Sequence, residues 1–107
     1  MNAILQEQLP SILSLCREYG VSRLEIFGSA NSPGFDLLRS DFDFIVDFKH
    51  TDLDRLTQFV DFADLMEELL QRPVDFAFES AMNERFRARI AEQRMVIYEA
   101  ASDSVAA

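Results

Sequence analysis

Between Ile4 and Tyr19 the apolar residues Leu5, Leu9, Ile12, Leu13 and Cys16 recur three or four positions apart. That spacing places them on one face of a helix, and such a face needs a core to pack against. Gly20 supplies the stop. Pro10 falls inside the pattern, so the helix either begins there or is kinked there, because proline has no N–H for the preceding turn. Arg23 to Phe27 is short and apolar, bounded by Gly20 and by Gly28-Ser29, and predicts a strand leading into a turn. Residues 30–40, with Asn31, Ser32, Pro33, Gly34 and Ser40, predict a loop with room for one helical turn.

From Asp41 to Phe48 the period changes to two. Asp41, Asp43 and Asp47 point one way, and Phe42, Phe44, Val46 and Phe48 the other, as on a strand with one greasy face. Thr51 or Asp52 caps a second helix, with Leu53, Leu56, Phe59, Val60, Ala63, Met66 and Leu70 expected inward. After Pro73, Val74 to Phe78 predicts a third strand, which contains Asp75. Asn83 can cap a further helix with Phe86 and Ile90 inward and Arg85, Arg87 and Arg89 outward, and Met95 to Tyr98 predicts a fourth strand. Strands alternating with helices in this order give an α+β class: a small mixed sheet of three to four strands with helices packed on it. No repeat, linker or low-complexity block interrupts it. One domain is expected over residues 1–100, with a flexible tail over 101–107.

Composition narrows the function. A chain of 107 residues, 49% hydrophobic, can build one compact core and is short for two. No apolar run approaches the roughly 20 residues that cross a bilayer, and the N-terminal stretch lacks a basic segment followed by a cleavable apolar one, so a soluble, cytoplasmic protein is expected. Cys16, the single cysteine, can form neither an internal disulfide nor a cysteine-built zinc site, and its place on the helical stripe predicts a core residue. With 19 acidic against 10 basic residues the formal net charge is −9, which repels nucleic-acid phosphates and argues against direct nucleic-acid binding. Arg85, Arg87, Arg89 and Arg94 form the basic cluster. They predict a solvated helix face, with partner docking or nucleotide steering as the alternative. His50, solitary at a strand end, receives no role.

Three features bear chemistry: the Gly28-Ser29 turn, the Ser40-Asp41-Phe42-Asp43 pattern opening the second strand, and Asp75 in the third. Residues two apart on a strand share a face at about 6.5 to 7 Å, so Asp41 and Asp43 can converge on two Mg²⁺ ions about 3.5 to 4 Å apart. Hard cations want oxygen ligands, which suits three aspartates and no histidine. Asp75, from a neighbouring strand, would complete the set and is expected to be buried, because its neighbours Val74, Phe76, Ala77 and Phe78 are apolar; a buried carboxylate without a partner is costly. Such a site activates a hydroxyl and holds a triphosphate, with Asp75 also available as proton acceptor. Gly28 lets the backbone approach phosphates, and Ser29 adds a hydroxyl and an N–H. Taken singly, the aspartates also fit solvated strand ends, and Gly28-Ser29 a simple turn.

In order, Ile26-Phe27-Gly28-Ser29, Phe35-Asp36, Arg39-Ser40-Asp41-Phe42-Asp43-Phe44-Ile45-Val46-Asp47-Phe48 and Pro73-Val74-Asp75 resemble the minimal nucleotidyltransferases of the DNA polymerase beta superfamily. Glu79-Ser80-Ala81-Met82-Asn83 and Val96-Ile97-Tyr98 extend the likeness over nearly the whole chain. The resemblance implies a polymerase beta-like nucleotidyltransferase fold, two Mg²⁺ ions held by Asp41, Asp43 and Asp75 as catalytic carboxylates, and ATP bound at Gly28, Ser29 and Ser40. Many members of that family are antitoxins that neutralise a HEPN-domain ribonuclease toxin by moving AMP onto a tyrosine hydroxyl, so the resemblance implies such a toxin as partner. A chain this small has little surface left to enclose an acceptor, which supports a protein acceptor independently. That protein, or a second copy of the chain in a homodimer, would bring the missing wall. A binding-only antitoxin and a nucleotide-binding regulatory subunit are the alternatives.

Overall fold

The computed structural model describes residues 3–27, 42–49 and 55–100. The elements run α1 (Ala3–Glu18), β1 (Val21–Phe27), β2 (Phe42–Phe48), α2 (Arg55–Leu70), β3 (Val74–Phe78), a 3₁₀ turn (Glu79–Ala81), α3 (Glu84–Ile90), a second 3₁₀ turn (Ala91–Gln93) and β4 (Met95–Glu99). The expected loop over 30–40, the caps Thr51 and Asp52, Leu53, His50 and the tail over 101–107 lie outside the described residues.

Helix α1 runs through Pro10 without a break. Proline at this position cannot donate to the preceding turn, and because Pro10 and Gln6 are both exposed, water can satisfy the carbonyl left over. Leu5, Ile12 and Cys16 are fully buried, as the stripe predicts, and burial pushes the Cys16 thiol up to about 12. Gly20 ends the helix in the left-handed region at φ +71, where a side chain is disfavoured. The Gln58 side chain donates to the Tyr19 carbonyl beside it, tying α2 to this turn.

The sheet order is β3-β2-β1-β4. β1 is antiparallel to β2 and β4, whereas β2 and β3 are parallel and are joined by α2, the crossover that a parallel pair requires. One face carries Leu24, Ile26, Phe42, Phe44, Val46 and Val74 into a core with Leu5, Ile12, Cys16, Phe62, Met66 and Leu70 of the two long helices. An irregularity between Val21 and Arg23 shifts the alternation, so that Val21 and Leu24 are both buried on this face.

Helix α2 is turned relative to its sequence reading. Leu56 is 69% exposed and Val60 44%, whereas Phe62, which the reading omitted, is fully buried with Met66 and close to Leu70. At about 100° per residue, Val60 lies about 160° around the helix from Phe62. The stripe that meets the sheet is therefore Phe59, Phe62, Met66, Leu69 and Leu70. Among the described residues no helix is long and apolar enough to cross a membrane.

Candidate active site

The second face of the sheet carries the candidate chemistry. Parallel pairing of β2 with β3 sets Asp43 opposite Asp75, with Phe42 opposite Val74 and Phe44 opposite Phe76. Register partners point to the same face, so the two carboxylates stand side by side at the ends where both strands begin. Phe27, the last residue of β1, pairs with Asp43 from the other side. The chain therefore leaves β1 for Gly28-Ser29 at the end that bears the two aspartates. Asp41, Gly28, Ser29 and Ser40 lie outside the described residues, and among the described residues no three candidate ligands form a metal-holding group.

Asp75 is exposed and Asp43 half-buried. The expectation of a buried Asp75 is corrected: β3 is an edge strand, and its second face opens to solvent at this end. What singles Asp75 out is its register, which brings an acid against another acid. Like charges on neighbouring strands are unfavourable unless something positive sits between them. Two oxygen donors so placed fit a hard divalent cation.

Helix α3 covers the same face farther along. Asn83 caps it, accepting from the Phe86 N–H at 2.8 Å, and the Phe86 ring meets Phe27 edge-on with centroids 5.8 Å apart. Ile90 is buried beneath it. Arg85 and Arg89 are exposed, as expected of a solvated face, whereas Arg87 and Arg94 are not free cations. The Arg87 Nε donates to Glu79 at 2.8 Å, and Arg94 bridges Glu79 and the buried Glu25, reaching Glu25 from Nε at 3.0 Å and from Nη2 at 2.5 Å. The Arg94 hydrogen bonds hold the Glu79 carboxyl below its ordinary value, and Glu25 in turn raises the Arg94 guanidinium. Sequence reasoning gave Glu25 and Glu79 no role in this network. The available signal was an acid at the centre of an apolar strand, Leu24-Glu25-Ile26, which demands a cation from elsewhere in the chain.

A family model described as nucleotidyltransferase domain matches residues 11–98, most of the chain. The chain belongs to the nucleotidyltransferase domain family. Its fold is the nucleotidyltransferase fold, with a four-stranded mixed sheet at the upper end of the expected size. No curated protein sequence matches the chain significantly. Among solved structures, a candidate minimal nucleotidyltransferase superposes with a TM-score of 0.67 at 25% identity, covering 89% of this chain and 95% of that one. A Shewanella oneidensis complex of a tri-AMPylated HEPN toxin with its MNT antitoxin is similar at a TM-score of 0.62 and 19% identity, covering 92% of this chain and 76% of that one. A toxin-antitoxin complex with AMP-PNP gives 0.65 and 20%, covering 89% and 76%. At those identities the two complexes share the fold with this nucleotidyltransferase domain.

Proposed function

We infer that the chain transfers AMP from ATP to a hydroxyl, that of a tyrosine, on a HEPN-domain partner protein, acting as its antitoxin. The observation that carries this reading is the Asp43–Asp75 register pair at the strand ends beside Phe27. In the proposal Asp41, Asp43 and Asp75 hold two Mg²⁺ ions, and Gly28, Ser29 and Ser40 bind the triphosphate. When bound, such ions lower the pKa of an attacking hydroxyl and offset charge on the phosphates.

The acceptor oxygen attacks the α-phosphorus, the bond to the bridging oxygen of the β-phosphate breaks, and pyrophosphate leaves. In this proposal Asp75 also takes the hydroxyl proton, a role that its exposure and its register with Asp43 support. Gly28 offers backbone to the phosphates without a side chain in the way. The AMP-modified toxin and the AMP-PNP complex among the structural relatives support the choice of adenylate and of partner.

The test is the intact mass of a candidate HEPN-domain partner protein after incubation with this chain, ATP and Mg²⁺. One or more added AMP masses are expected, together with relief of toxicity. An unchanged mass would sink the reading, and neutralisation that survives Asp43→Asn with Asp75→Asn would leave binding alone as the function.

A further inference from the structure

Away from the aspartate pair, the groove between β3 and the start of α2 has no part in the transfer reaction. Its floor is three mutually packed rings: Phe48 and Phe59 at 6.3 Å, Phe59 and Phe78 at 5.0 Å, Phe48 and Phe78 at 6.5 Å. Leu56 forms one wall, 69% exposed, and Asp47 and Glu79 form the other, around a volume of about 680 Å³. Val60, one turn beyond Leu56, extends the apolar rim along α2 and is 44% exposed.

We propose that this groove docks an amphipathic helical segment of the acceptor protein that carries apolar residues one turn apart and a flanking lysine or arginine. The apolar half of the argument is the ring floor with Leu56 and Val60 beside it: side chains four residues apart on a partner helix match that rim. The basic half is the acidic wall. Val46 pairs with Phe78, which brings the next residues, Asp47 and Glu79, together. Arg94 and Arg87 engage Glu79, but among the described residues no cation engages Asp47, which receives only the backbone amides of Glu79 and Ser80. An incoming cation would relieve the repulsion between the two acids. The net charge of −9 favours the same partner at longer range.

The groove lies four residues along β2 from Asp43, about 13 Å, so a partner seated there leaves the catalytic end open. It would supply the grip on the acceptor that a chain of this size cannot provide by enclosure. The inference rests on the proposed function only in taking the acceptor to be a protein.

The experiment titrates the ¹⁵N-labelled full chain with a helical peptide of about 15 residues carrying leucines four apart and adjacent lysines. A control peptide has glutamates in place of the lysines. Amide shifts are expected at Leu56, Phe59 and Phe78 with the lysine peptide alone, and Leu56→Lys is expected to weaken binding at least about tenfold, or 1.4 kcal/mol. Asp47→Asn should weaken it less. Shifts elsewhere, equal response to both peptides, affinity unchanged in both variants, or self-association that buries these residues would overturn the proposal.

With the HEPN-domain protein as acceptor, Leu56→Lys should raise its KM and leave kcat intact. Fusing acceptor to chain through a flexible linker should restore the rate at low concentration. Asp43→Asn should abolish transfer and leave the peptide titration unaltered, so failure of the catalytic reading and failure of the groove give different results.

Discussion

Burial, and then the charge of Glu79, hold the Asp47 carboxyl above its ordinary range, although the amides of Glu79 and Ser80 donate to it. An acid raised in the folded state costs stability once the unfolded chain ionises, and the cost is complete above the folded pKa. Asp47→Asn should therefore be more stable than the parent at pH 7, by less than about 1 kcal/mol because the group is half in water. The advantage should vanish as the pH falls below the unfolded pKa of about 3.9. Denaturant melts of both proteins between pH 3 and 7 check this. Glu79 has the opposite sign: its lowered carboxyl stabilises above the unfolded value and loses that contribution as pH falls through the folded one. Arg94→Met strips the main partner from Glu25, which is 3% exposed, and should cost about 3 kcal/mol in chemical denaturation.

At the scale of elements, α2 divides what could be read from the chain from what could not. Phe62→Ala, at a fully buried ring, should cost about 3 to 5 kcal/mol in a urea melt, and Leu56→Ala less than about 0.5. The inward reading of Leu56 and Val60 predicts the reverse. The element itself was legible, because its apolar spacing is helical over 16 residues. Its rotation was not, because Leu56, Phe59, Val60 and Phe62 are all apolar and span more than one face, and only the opposing sheet selects among them. Over the described residues of β2 the alternation was read correctly for Phe42, Phe44 and Val46, although Ile45 on the acid-bearing side is buried as well. The pairing of Asp43 with Asp75 needed the parallel register of two strands separated by a helix, information that no local spacing contains. Gly20 belongs to this scale too: its φ is +71, and an added Cβ would stand 2.8 Å from the Gln58 Nε2, so Gly20→Ala should destabilise by about 1 to 2 kcal/mol by the same melt.

Across the whole molecule, the core helices occupy one face of the sheet, and the other, partly roofed by α3, carries the candidate site. If the aspartate end takes a nucleotide with Mg²⁺, a non-hydrolysable ATP analogue should stabilise the folded chain by about 2.7 kcal/mol at a hundredfold excess over its dissociation constant. Scanning fluorimetry should show the rise in Tm with both ligands present. Asp43→Asn should remove the shift, read as the difference between the liganded and unliganded Tm of the variant itself.

β3 lies at the margin of the sheet, where among the described residues β2 is the one strand paired with it, while Val74 and the rings of Phe76 and Phe78 tie it to α2. Marginal strands ordinarily fray first, exposing their amides to exchange with solvent. A cation gripped jointly by Asp43 and Asp75 would pin that margin to its neighbour. Deuterium uptake at Phe76 and Ala77 should then slow when Mg²⁺ and the analogue are added and recover with a chelator, so that readiness for the reaction is written in how long this one strand keeps its protons.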